Sequence, residues 1–257
     1  METKQKTVIE YDFTLIADFF RGLDRQGPGS VEETLRALAF VPDRPGLRIA
    51  DIGCGTGGQT ATIATHRDCT ITGLDLLPEL IEEFEARMKK AGLDHRVACV
   101  QGSMDALPFR PGELDVIWAE GSIYNIGFER GLKEWRRYLK PGGIIAVTEC
   151  SWLTGARVDD GGFLRKYHPE LAGIPEKLKV LENAGYAPIA HFTLPEHCWT
   201  ENYHVPMAER IPVFLERHAY GDTAVRFTEA LKEEIPHYRK YKGYYGYVFY
   251  IGRKLDE

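Results

Sequence analysis

A chain of 257 residues is long for one minimal domain and short for two full ones, and its 44% hydrophobic content allows a sizeable core. The formal net charge of −6, with no run of Lys and Arg, makes nucleic acid a poor partner, and no apolar stretch is long enough to insert into a membrane. Five cysteines (Cys54, Cys69, Cys99, Cys150 and Cys198) form no CxxC pair and suit a reducing, cytoplasmic setting, and the start of the chain leads into no apolar run that would read as a signal peptide.

Residues 1–26 are mixed in character and predict no element. Ser30-Val31-Glu32-Glu33 reads as a capping box opening a helix, with Val31, Leu35 and Leu38 on one face. Pro42 to Gly46 breaks the chain. Leu47 to Ile52 is a short apolar run ending in glycines, which predicts a buried strand, followed by a helix through Ile63 and Ala64. Thr70 to Leu74 predicts a second strand, closed by Asp75. Leu77, Ile81, Phe84 and Met88 keep helical spacing up to Gly92. Val97 to Val100 and Leu114 to Ala119 predict the third and fourth strands. Leu132, Trp135 and Leu139 mark a helix stopped by Pro141-Gly142-Gly143, and Ile144 to Thr148 the fifth strand. A helix from Pro175 to Ala184, a sixth strand from Ile189 to Leu194 and a last strand from Tyr244 to Ile251 follow. Residues 195–242, rich in His, Tyr, Pro and charge, are expected to be helical in part and too long for a simple connection. Strands that are continuous apolar runs alternating with helices predict a parallel sheet covered on both faces.

In such a sheet a ligand sits beyond the carboxyl ends of the strands. The first strand runs into Asp51-x-Gly53-x-Gly55-x-Gly57, where glycine lets a ligand approach the backbone closely. Asp75 ends the second strand, 18 residues after Gly57. Its carboxylate can accept hydrogen bonds from a ribose, and it can also cap the helix that follows; the two roles are compatible. A dinucleotide site would carry G-x-G-x-x-G facing a pyrophosphate. Here Gly57 comes early, and Asp51 would repel a pyrophosphate but attract an ammonium or sulfonium. The charge logic selects S-adenosylmethionine over NAD.

At this point the sequence resembles the class I S-adenosylmethionine-dependent methyltransferases, with a closer likeness to the ubiquinone/menaquinone-biosynthesis group. Four stretches between residues 30 and 150 carry it: Ile49 to Gly57, Thr72-Gly73-Leu74-Asp75, Gly102-Ser103-Met104-Asp105-Ala106-Leu107-Pro108-Phe109, and Leu139 to Gly143. The resemblance implies that Asp51, Gly53 and Gly55 surround the methionine part. It implies that Asp75 holds the ribose, that Leu76 packs on the adenine, and that Ser103 and Met104 sit at its edge. Ser103 stands where the family usually has an acidic residue, and Asp105 is a substitute for the adenine hydrogen bond. With the pattern of elements, the resemblance implies an α/β, Rossmann-like, seven-stranded, mostly parallel sheet with helices on both faces, an antiparallel last strand and a helical cap before it. The expected organisation is a single domain, 1–257, with 1–30 covering the cofactor, 31–150 as the binding core and 195–242 as the cap insertion.

Glu120-Gly121-Ser122-Ile123-Tyr124-Asn125 follows the fourth strand, beside the transferable methyl in this fold. Glu120 could bind the cofactor, take a proton from the acceptor, or serve a neighbouring amide; Tyr124 and Asn125 could orient a polar acceptor. The absence of Asn-Pro-Pro-Tyr there lowers amide and nucleobase acceptors. Tyr11 and Arg25 are candidates to fold over the cofactor, Arg25 by pairing with the methionine carboxylate. Trp152, His197, Trp199, Tyr203, His204, Tyr238, Tyr241, Tyr244, Tyr245 and Tyr247 could supply aromatic walls or ordinary packing. No metal spacing is evident. The expected activity is methyl transfer to a small molecule, leaving S-adenosylhomocysteine, with a homodimer left open. A NAD-dependent oxidoreductase and a non-catalytic S-adenosylmethionine-binding protein are the alternatives.

Overall fold

A computed structural model describes residues 12–256. In chain order the elements are α1 (Phe13–Phe20), α2 (Val31–Leu38), β1 (Leu47–Ile52), α3 (Gly58–His66), β2 (Cys69–Asp75), α4 (Pro78–Lys90), β3 (Val97–Gln101), β4 (Leu114–Ala119) and α5 (Phe128–Trp135). Then come β5 (Leu139–Trp152), α6 (Phe163–Tyr167), β6 (Ala172–Gly173), α7 (Ile174–Asn183), β7 (Tyr186–Thr193), α8 (Glu196–Trp199), α9 (Val205–Arg217), α10 (Asp222–Tyr241) and β8 (Tyr245–Lys254).

The strands form one sheet in the order β3-β2-β1-β4-β5-β8-β7, and the two-residue β6 pairs with β5. β1 to β5 are parallel, while β8 runs antiparallel to both β5 and β7. The expected Rossmann-like sheet with an antiparallel last strand is therefore the architecture. Chain direction reverses its spread between β1 and β4, which makes that gap the switch point.

Alternation along β4 divides the core. Val116 and Trp118 join the cluster with Phe84 and Met88 of α4 on one face, whereas Ile117 and Ala119 join Leu132 and Trp135 of α5 on the other. Gly57 belongs to this packing, not to a ligand. It lies at φ +82°, and a Cβ there would stand 2.6 Å from the Phe84 ring, so glycine lets α3 close against α4. A third cluster joins Phe19 of α1 to Phe214 of α9, Phe227 of α10 and Leu80 of α4. Phe19 meets Phe214 and Phe227 edge-on, with ring centres 5.1 and 5.5 Å apart. These contacts fasten the α8–α10 segment to the start of the chain.

Several expectations need correction. α5 ends at Trp135 and gives way to a 3₁₀ turn, so Leu139 opens β5 instead of closing a helix. Pro141-Gly142-Gly143 lies inside β5 beside a register shift against Leu114 and Val116, an irregularity that tolerates proline and glycine. Half of the capping box forms: Glu33 N–H donates to Ser30 Oγ at 3.1 Å, but the Glu33 carboxylate turns to Arg36. Val31 is exposed, because the buried face of α2 is set by Thr34, Ala37 and Leu38. On α4 the inward residue is Leu80, not Ile81.

Candidate active site

The loops after β1, β2, β3 and β4 open on the same edge of the sheet, and α8–α10 cross above it. Between them lies a cavity of about 550 Å³. Its sheet side is lined by Gly53, Gly55, Asp75, Leu76, Ser103, Met104 and Glu120, and its far side by Trp199, Tyr203, Leu231 and Glu234.

Gly55, at φ +53°, gives its N–H to Asp75 Oδ2 at 2.9 Å, while Leu77 N–H donates to Asp75 Oδ1 at 3.1 Å. The capping role of Asp75 is thus present, and each oxygen keeps a lone-pair direction for a further donor. Burial pushes its carboxyl above the usual range. Asp51 is placed differently from expectation. It is fully buried, is absent from the cavity wall, and accepts hydrogen bonds from Thr60 Oγ1 and, at 3.4 Å, from Gln59 Nε2. Gln59 does line the cavity, so the hydrogen bond from Gln59 is what connects Asp51 to it. Burial pushes Asp51 up to about 7, and the neighbouring Glu120 and Asp75 carboxylates add to the rise.

Arg25 lines the cavity but is not solvated, and its guanidinium is engaged by Glu120. Nη1 lies 2.8 Å from Glu120 Oε2, and both side chains are nearly buried, at 10% and 4% exposure. Arg25 Nη2 also donates to Thr34 Oγ1 at 3.1 Å. Glu120 accepts further hydrogen bonds on Oε1, from Thr34 Oγ1 at 2.7 Å and Trp118 Nε1 at 2.9 Å. With both oxygens engaged, Glu120 ties Arg25 and Thr34 to the end of β4. Tyr11 lies outside the described residues.

Ser103 and Met104 reach the cavity, held by Trp135 Nε1 donating to Met104 O at 3.0 Å. Asp105 lines the same edge, but its carboxylate accepts from Ser103 Oγ at 3.0 Å and pairs with Arg130. Tyr124 and Asn125 both face the cavity; Asn125 Nδ2 is tied back to Ser122 O at 3.0 Å, and burial pushes the Tyr124 phenol up to about 12. Of the aromatic residues singled out from the sequence, Trp199, Tyr203, Tyr245 and Tyr247 line the cavity, whereas Trp152, His197, His204, Tyr238, Tyr241 and Tyr244 do not.

Sequence reasoning missed Gln26, Ser122, His168 and Glu234. Gln26 neighbours Arg25, and its amide sits on the glycine loop: Thr56 N–H donates to Oε1 at 3.2 Å, and Nε2 donates to Thr56 Oγ1 at 3.1 Å. A Cβ on Gly55 would meet Gln26 Oε1 at 2.0 Å. Gly55→Ala is therefore expected to expel the Gln26 amide and strain the backbone, lowering affinity for S-adenosylhomocysteine more than tenfold by calorimetry. Unchanged affinity would remove this loop from the ligand site. His168 and Glu234 carried no local pattern that sequence could flag. Among the described residues, no group of three or more His, Cys, Asp and Glu side chains is placed to hold a metal ion.

The sheet order, the glycine loop at the switch point and the acidic end of β2 define the class I S-adenosylmethionine-dependent methyltransferase fold. Residues 49–143 match the methyltransferase domain family. The sterol 24-C-methyltransferase of Clavispora lusitaniae is 30% identical over 154 residues, covering 54% of this chain and 40% of that protein. The 27-O-demethylrifamycin SV methyltransferase of Amycolatopsis mediterranei is 32% identical over 115 residues, covering 44% and 42%. This chain thus spans about two fifths of the length of these curated relatives. A S-adenosylmethionine-dependent methyltransferase from Geobacter sulfurreducens, solved with S-adenosylhomocysteine, shares the fold with a TM-score of 0.80 at 20% identity, over 93% of this chain and 97% of that one. No helix among the described residues is long and apolar enough to cross a membrane.

Proposed function

We propose that this chain transfers the methyl group of S-adenosylmethionine to a small molecule held under α8–α10. The observation that carries the reading is the set of carboxylates around the donor end of the cavity. Asp75 and Glu120 line it and Asp51 lies just beneath, against the single guanidinium of Arg25. Such a site favours a cationic ligand and disfavours the pyrophosphate of NAD. The matched methyltransferase domain and the small-molecule relatives support the same assignment.

Bound S-adenosylmethionine supplies a methyl carbon on a positively charged sulfur that leaves as a neutral thioether. The chain then has little covalent chemistry to perform. Gly53 and Gly55 give backbone close to the ligand, Asp75 takes the ribose hydroxyls, and Leu76, Ser103 and Met104 border the base. Gln26 and Arg25 close the N-terminal segment over the loop, which excludes water and holds the reactants in line. Tyr124 and Asn125 face the acceptor. A net charge of −6 argues against a nucleic-acid acceptor. The unpaired cysteines fit a cytoplasmic setting.

Asp75→Ala is expected to weaken S-adenosylhomocysteine binding more than tenfold, or at least about 1.4 kcal/mol. Asp75→Asn, which keeps one acceptor oxygen for either Gly55 or Leu77 and sets its NH2 against the other N–H, should lose less than Asp75→Ala. Unchanged affinity in both variants refutes the ribose assignment, and tight NADH binding in place of S-adenosylhomocysteine refutes the whole reading. Formation of S-adenosylhomocysteine from the donor and a metabolite pool separates an enzyme from a non-catalytic binder.

A further inference from the structure

Beyond the donor end, the part of the cavity under α8–α10 has aromatic walls. Trp199 packs against Tyr247 with ring centres 5.0 Å apart and meets Tyr245 edge-on at 6.0 Å. Tyr247 meets His168, which in turn meets Tyr124, at 5.9 and 5.2 Å. Tyr203 stands on the π-helical turn Thr200–His204 that joins α8 to α9. Into this wall α10 delivers one carboxylate, Glu234.

The charges near Glu234 are one-sided. Tyr203 donates its hydroxyl to the carboxylate, and His204 Nε2 lies 3.9 Å away. Burial holds His204 down to about 4, so it is a neutral ring and no counter-charge. His168 is likewise held down to about 4. Tyr124, Tyr245 and Tyr247 complete the surround, and burial pushes each of those phenols up, so they remain neutral. Among the described lining residues Arg25 is the one guanidinium or ammonium group, and Glu120 already pairs with it. An anionic acceptor would find no cationic partner here. Two buried polar atoms of lining residues, Trp199 Nε1 and His168 Nδ1, have no hydrogen-bond partner in the protein, which suits a ligand with polar groups of its own.

We propose that the acceptor is a small organic amine, its ammonium paired with Glu234 and enclosed by the faces of Trp199, Tyr203 and Tyr247. This deepens the methyl-transfer reading and rests on it. Aromatic faces attract a cation, and a carboxylate set among them with no cationic partner gains from one. The same carboxylate serves the reaction. The ammonium first passes one proton to the Glu234 carboxylate, the freed nitrogen lone pair then forms the bond to the methyl carbon, and the sulfur–carbon bond breaks with its electron pair passing to sulfur. Burial pushes the Glu234 carboxyl up to about 7, which places it near the range wanted of a proton acceptor at neutral pH.

The test is calorimetry of benzylamine, benzyl alcohol and benzoate against the complex with S-adenosylhomocysteine. Wild type is expected to bind benzylamine at least tenfold more tightly than the other two. Glu234→Gln should reduce that preference to within about threefold, and Glu234→Asp should retain part of it, with both variants still binding S-adenosylhomocysteine as wild type does. In turnover, amines should yield S-adenosylhomocysteine from the donor and the alcohol should not. Equal binding of amine and alcohol, preference for benzoate, or an amine preference untouched in Glu234→Gln overturns the proposal while leaving methyl transfer in place. Failure of wild type to bind S-adenosylhomocysteine overturns the donor reading, and this one with it.

Discussion

Lys177→Met is expected to cost about 3–5 kcal/mol of stability, a fall in Tm of roughly 10 °C. Lys177 of α7 reaches Glu149 of β5 at 3.0 Å, with the two side chains 2% and 1% exposed. Its ammonium also lies 4.4 Å from the centre of the Phe128 ring. Glu149 Oε2 has no partner of its own, so the lysine is the main group that makes the buried charge tolerable. Methionine keeps most of the volume and removes the charge, which isolates the electrostatic part. The deficit should depend on pH with a definite sign. Burial already raises Glu149 from 4.5 to about 7, and without the lysine it rises further. A raised folded-state value means the folded chain binds the proton more tightly than the unfolded one. Stability from that proton is full below about 4.5 and is lost as pH climbs through the folded value. The variant should therefore be closest to wild type at pH 5 and furthest from it at pH 8. Adding Glu149→Leu should recover much of the loss. A deficit that is flat with pH, or a double variant no better than the single, contradicts this account.

Arg25→Ala is expected to act on stability and on ligand binding together. It leaves Glu120 buried with two hydrogen-bond donors but no counter-charge, a loss of about 3 kcal/mol. It also frees the segment that carries Gln26 onto the glycine loop, so affinity for S-adenosylhomocysteine should fall more than tenfold. Arg25→Met combined with Glu120→Gln separates the two effects. Melting temperature should largely return, because no charge is stranded, while affinity should stay low, because the clamp is gone. Recovery of both would mean that Arg25 matters only as a partner for Glu120.

The core was legible because its information is local. β1 to β4 each announce themselves as an apolar run, and the glycine loop and Asp75 lie where such runs end. What stayed hidden depends on distance along the chain. Arg25 and Glu120 are 95 residues apart, and neither sits in a motif that names the other. α1 is short and apolar at most positions, so its sequence does not name the partners of Phe19, which lie on α9 and α10 about 200 residues later. Glu234 sits in an ordinary charged helix, and only the fold turns it towards the cavity. Asp51 was read as a ligand contact because charge can be read from sequence, but the turn of the loop that buries it under Gln59 cannot. Proline and glycine at 141–143 signal a break, yet they do not say whether a helix ends there or a strand starts irregularly.

The helices α8–α10 leave the sheet after Thr193 and return to it at Tyr245, and the strands at those two points are neighbours, with Thr193 opposite Val248. Their entry and exit are thus fixed close together by backbone pairing that owes nothing to the helices themselves. Lengthening such an excursion costs little, since doubling a loop adds only about 0.6 kcal/mol of closure entropy. A longer or shorter excursion would therefore reshape the wall of the cavity while leaving the pairing of β1 to β4 unaltered. One pair of neighbouring strand ends is thus where the shape of that wall can be altered without redesign of the sheet.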